Sequence, residues 1–159
     1  MSFSPSSQDG LKHLRRHVIM QNRYTLTVHS EYLHVLLQPR FRFTPASAPA
    51  LHHDVAGTMQ RQGLTRVLIE GDSPECQLGP IEVFNLGKQV ADQLHHVAIA
   101  YCLRDYVPGV VHDDYGRPID KIEFFGNVVQ NRGGVIGFFE SVCEARQWLR
   151  LQQDYPLAS

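Results

Sequence analysis

The chain has 159 residues, 43% of them hydrophobic, enough for one domain with a sizeable core. Its 15 Lys and Arg against 16 Asp and Glu exclude a general attraction to nucleic acid or anionic membrane, and no run approaches the roughly 20 apolar residues of a bilayer span. Cys76, Cys102 and Cys143 form no CxxC or CxxH pair, which argues against zinc ribbons, fingers and redox dithiols and reads as free thiols in a reducing compartment.

Residues 1–21 are expected to be a flexible arm. Met1 to Gly10 is rich in Ser, Gln and Pro, without the apolar core of a signal peptide, so a cytoplasmic location is expected. The arm continues as the basic stretch Leu11 to His17. Tyr24, Leu26 and Val28 then alternate with Thr25 and Thr27, as in a half-buried strand, and Leu33, Val35 and Leu37 repeat the period after a short turn. A connection that short makes the pair an antiparallel hairpin. Arg40, Arg42 and Phe43 follow in a connection and suit strand-end packing better than single-strand nucleic-acid binding.

Helix and strand alternate from there. Ser47 suits the cap of a helix whose face is Ala48, Leu51, Val55 and Met59. Arg66 to Glu70 is a β-branched run. Gly79-Pro80 opens a second helix with Phe84, Gly87, Ala91 and Leu94 on one face, and Val97 to Tyr101 is a strand covered on both sides. A third helix is expected from Pro118, with the face Ile119, Ile122, Phe125 and Val129. Val135 to Phe139 is the last strand. Ser141-Val142-Cys143-Glu144 reads as a capping box for a helix that buries Trp148 as a core anchor, and Cys102 and Cys143 read as buried thiols. The expectation is an α/β domain over residues 22–155, with a tail at 156–159. Its five-stranded mixed sheet has an N-terminal antiparallel hairpin followed by β-α units, and it carries four helices.

Phe125-x-x-Val128-x-x-Asn131-Arg132-Gly133, a strand ending in Phe139, and Glu144-Ala145-x-x-Trp148-Leu149 together resemble the C-terminal half of STAS-like domains. These form the superfamily of anti-sigma-factor antagonists and sulfate-transporter cytoplasmic domains. The resemblance implies a bacterial-type regulatory domain that docks protein partners without enzyme activity or cofactor, some members binding nucleotides or lipids. Regulatory members carry Asp-Ser-Ser/Thr-Gly-Leu after a central strand. Here Glu70-Gly71-Asp72-Ser73-Pro74-Glu75 keeps only the Asp-Ser step, so Ser73 is not expected to be a phosphorylated switch.

Open α/β sheets bind ligands beyond the carboxyl ends of their strands. The loop from Gly71 to Gly79 offers Asp72, Ser73 and Glu75 as candidates. The longer loop from Leu103 to Arg117 offers Arg104, Asp105, Tyr106, Tyr115 and Arg117, and long loops are often functional. His112, Asp113 and Asp114 lack a partner ligand at metal spacing, and His52-His53 and His95-His96 are neighbours that point apart on a helix, so no metal is expected. The leading expectation is a non-catalytic regulatory or protein-interaction domain, with an edge strand open to homodimer formation. The alternative is a small-ligand or lipid-binding module with an apolar pocket between the Leu103–Arg117 loop and the helix bearing Phe124 and Phe125.

Overall fold

Short polar turns and period-two burial set the first part of the sheet. In the computed structural model, which describes residues 17–21, 23–72, 75–104 and 109–151, β1 (His17–Gln21), β2 (Tyr24–Val28) and β3 (Leu33–Leu37) form an antiparallel meander. β3 is followed in space by three parallel strands, β5 (Arg66–Asp72), β7 (Ala98–Arg104) and β10 (Val135–Phe139). The order is β1-β2-β3-β5-β7-β10. The five expected strands therefore lie in one mixed sheet that begins with the expected hairpin. β1 adds a sixth at the edge, from residues expected in the arm. Two parallel two-residue strands, β4 (Arg42–Phe43) and β6 (Glu75–Cys76), form a separate ribbon, and β8 (Val110–His112) pairs with β9 (Pro118–Asp120) in a small hairpin.

The four helices are α1 (Ser47–Gln62), α2 (Pro80–Gln93), α3 (Lys121–Asn131) and α4 (Val142–Trp148). The larger core lies between one face of the sheet and α1, α2 and α3, joining Leu26, Val35, Ile69 and Ile99 to Leu51, Val90 and Val129. The opposite face carries a smaller cluster of Leu68, Ala100 and Cys102 under Ala145 and Leu149 of α4. No helix among the described residues is long and apolar enough to cross a membrane.

The structure corrects five local expectations. α1 starts at Ser47 itself, and Thr44 takes the capping role: its Oγ1 accepts from the Ser47 amide at 3.0 Å and its carbonyl from the Ala48 amide. α2 buries Val83, Leu86 and Val90, whereas Phe84 turns outward beneath the cationic side chains of Lys88 and Arg132. α3 begins at Lys121 because Pro118 to Asp120 is committed to β9. The Asp120 carboxylate then accepts from the amides of Ile122 and Glu123, at 2.7 and 3.3 Å. Cys102 is buried, but Cys143 is exposed on the first turn of α4.

Trp148 is the fifth correction. It retains 37% exposure and lies against Phe139 of the edge strand at 5.4 Å between ring centres, while its neighbour Leu149 is 2% exposed. α4 is seven residues long and lies over β5, β7 and β10, and among the described residues no further layer covers its outer side. Leu149→Ala is therefore expected to cost about 2–5 kcal/mol in denaturant melts, and Trp148→Ala only about 1 kcal/mol. A larger loss for Trp148 would place the anchor of this face on the wrong side chain.

Candidate functional site

The N-terminal halves of α1, α2 and α3 each send side chains toward the carboxyl ends of β7 and β10. The side chains there leave a half-open apolar pocket of about 50 Å³. α2 contributes Val83 and Leu86, α3 contributes Ile122 and Phe125, and β7 contributes Tyr101 and Leu103. Phe138 of β10 stacks on Tyr101 at 5.2 Å, and Phe125 meets the same ring edge-on at 5.9 Å. The β4–β6 ribbon closes another side, presenting Phe43 and Cys76, with Leu78 just beyond. The arrangement follows from alternation: on β7, Tyr101 and Leu103 face this core, and Cys102 and Arg104 face the other side of the sheet.

Two polar side chains lie within this apolar lining. His52 of α1 is fully buried. Its Nδ1 lies 2.8 Å from the carbonyl oxygen of Ala48, one turn earlier, and its Nε2 lies 2.5 Å from the Tyr101 hydroxyl. The carbonyl only accepts, so Nδ1 carries the proton; the Nε2 of the neutral ring then accepts from the Tyr101 O–H. Burial holds both groups in their neutral forms, lowering the His52 pKa to about 4 and raising that of Tyr101.

Lys121 is the one cationic side chain in the lining. Its Nζ donates to the carbonyl of Cys76 at 3.3 Å, and its backbone amide donates to the carbonyl of Gly109. The stem lies flat on Gly109: a Cβ there would stand 2.9 Å from Lys121 Cδ and Cε. Gly109 is thus the residue whose lack of a side chain lets the ammonium reach the pocket rim. Phe43, His52, Leu78, Tyr101 and Lys121 are not among the site residues expected from the sequence. The available signal was weak: a histidine one turn from Ala48, beside the apolar stripe of α1.

The expected site residues fall elsewhere. Ser73, Asp105 and Tyr106 lie outside the described residues, and Glu75 is placed only as the start of β6. Asp72 and Arg104 do meet, with Arg104 Nε 2.9 Å from Asp72 Oδ1 and a second contact of 3.5 Å to Glu70, on the sheet face away from the pocket. His34 Nε2 donates to Glu70 at 2.6 Å, and this bond, ahead of other influences, holds the Glu70 pKa down. Tyr115 and Arg117 sit in the turn between β8 and β9. Asp113 organises that turn by accepting from the Tyr115 and Arg117 amides and the Arg117 guanidinium. Among the described residues no three His, Cys, Asp or Glu side chains are grouped to hold a metal ion. A wider cleft beyond the β4–β6 ribbon has Arg23, Arg42, Thr44 and Ser47 in its walls, but the two hydroxyls are bonded to one another and to the Arg42 carbonyl.

The buried histidine sets a pH dependence. The unfolded chain binds a proton on His52 below its ordinary value of 6.5, but the folded chain binds it only below about 4. Stability is therefore complete above the unfolded value and lost as pH falls between the two, by on the order of 3 kcal/mol. Glu70, with a depressed pKa, adds a loss of the same sign only below the unfolded carboxylate value of 4.5. Urea melts from neutral pH to pH 5 should show a fall in stability that His52→Gln flattens. An unchanged slope in the variant would assign the loss to other groups.

No family model matches the chain, and no curated protein matches it. Among solved structures it is similar to an enoyl-CoA hydratase from Geobacillus kaustophilus HTA426, at 10% identity and a TM-score of 0.39, over 86% of this chain and 75% of that one. These findings correct the sequence reading twice. The STAS-like resemblance is not upheld, since no family model matches the chain. The expectation of no enzyme activity is withdrawn with it, since the non-catalytic family it leaned on is matched by no family model. A likeness at this TM-score assigns no activity to this chain.

Proposed function

We propose that this domain binds a small amphiphile, a short apolar chain or ring bearing one carboxylate or similar anion, with its body in the pocket and its charge at Lys121. The observation that supports this is the placing of one cation on a lining whose other described side chains are apolar or held neutral. Among the described residues the ammonium meets no carboxylate and has only the Cys76 carbonyl as acceptor, so it has protons left to donate. A bound carboxylate would supply the missing counter-charge in a partly desolvated setting, where such a bond is at its strongest. Support for the ligand-binding alternative comes from the pocket wall, which includes Leu103 at the end of β7 and Phe125 of α3. The protein-docking alternative is supported by no comparable grouping among the described residues.

The test is a calorimetric titration of straight-chain carboxylates from butyrate to octanoate, each against the alcohol of matching length. The carboxylates are expected to bind more tightly than the alcohols by about tenfold or more, the usual worth of a hydrogen bond to a charged group. Lys121→Met should abolish that preference while leaving alcohol binding intact. Gly109→Ala should weaken it by displacing the lysine stem. Absence of carboxylate binding, or a preference that survives Lys121→Met, would remove the proposal.

A further inference from the structure

The protons of the His52–Tyr101 pair have only one arrangement, and it gives the inner pocket a polarity. The Ala48 carbonyl takes the Nδ1 proton, which leaves Nε2 as an acceptor and obliges Tyr101 to spend its single O–H on it. The phenol oxygen is left with lone-pair capacity and nothing to donate. Phe125 and Phe138 pack against the Tyr101 ring and bring no polar group. We infer that the pocket sorts ligands by their buried end, taking chains that end in an apolar group or a hydrogen-bond donor such as a hydroxyl, and refusing those that end in a second acceptor-only group such as a carboxylate. This rests on the anionic-amphiphile reading of the site, and it adds which end goes in and what that end carries. Burial keeps His52 neutral through the physiological range, so the polarity does not reverse there.

The sequence holds no sign of this, because the two residues lie 49 positions apart and only the sheet brings them together. The consequence is specific. A ligand with a hydroxyl at its far end finds an acceptor at the floor of the pocket. A dicarboxylate of equal length meets only the lone pairs of the Tyr101 oxygen and loses its hydration without gaining a donor.

The experiment compares hexanoate, ω-hydroxyhexanoate and adipate on the full chain and on His52→Leu. In the native protein ω-hydroxyhexanoate should bind more tightly than adipate by about tenfold or more. In His52→Leu the Tyr101 proton is released into the pocket, and that ratio should shrink toward one or invert. A ratio unchanged by His52→Leu, with hexanoate still bound, overturns this inference alone. Failure of hexanoate to bind the native protein overturns it together with the proposal on which it rests. Should His52→Leu not fold, the nitrogen shifts of His52 in the native protein decide. A protonated Nδ1 and bare Nε2 are expected, and a proton on Nε2 sinks the inference.

Discussion

Each parallel connection in this sheet runs to the next strand in the same direction, from β3 to β5 to β7 to β10, and a right-handed crossover lays its helix on the same face every time. α1, α2 and α3 are thereby stacked side by side above four strands, and their mutual fit governs the larger core. α2 and α3 approach most closely at Gly87, where a Cβ would stand 2.6 Å from Val128 Cγ1, so this contact tolerates no side chain. The first turns of the same helices meet over the strand ends, and the gap they leave is the pocket. Its position is a product of topology, since any three helices delivered this way converge at the carboxyl edge.

The opposite face has one short helix to cover it. α4 reaches across β5, β7 and β10 and buries Ala145 and Leu149 there. Beyond it the sheet turns polar, with Thr25, Thr27 and His34 on β2 and β3 and the chain His34–Glu70–Arg104–Asp72 running across three strands. These groups satisfy one another at the edge of solvent, where ion pairs contribute little to stability. Both carboxylates of that chain already have partners in His34 and Arg104. That separates them from Lys121, whose ammonium meets no carboxylate among the described residues.

The pocket interior is the reverse case, in which low polarity makes each proton count. A lone imidazole there would be costly, but His52 satisfies both nitrogens, one against its own helix and one against the neighbouring strand. Position 52 lies four residues after Ala48 on the buried side of α1, and Tyr101 lies on the third parallel strand of the meander-derived sheet. Each is a core residue that also carries the polarity of a cavity.

Local periods in the chain suffice for most of the secondary structure. Alternation at Tyr24 to Val28 and Leu33 to Leu37 required a hairpin. The spacing of Ala48, Leu51, Val55 and Met59 required a helix with that side buried, and Val135 to Phe139 emerged with its expected ends. Three residues are too few to show a period, so β8 and β9 leave no local signature and Pro118 reads as a helix start although α3 begins at Lys121. The Asp120-x-x-Glu123 cap was the only local sign of the true boundary. The outward turn of Trp148 and Phe84 depended on where the sheet ends and how the helices crowd, which no window of residues records. The site was decided by tertiary structure alone. His52, Tyr101, Lys121 and Gly109 come from four separate segments, and their chemistry arises only when three crossovers carry them to one edge of the sheet.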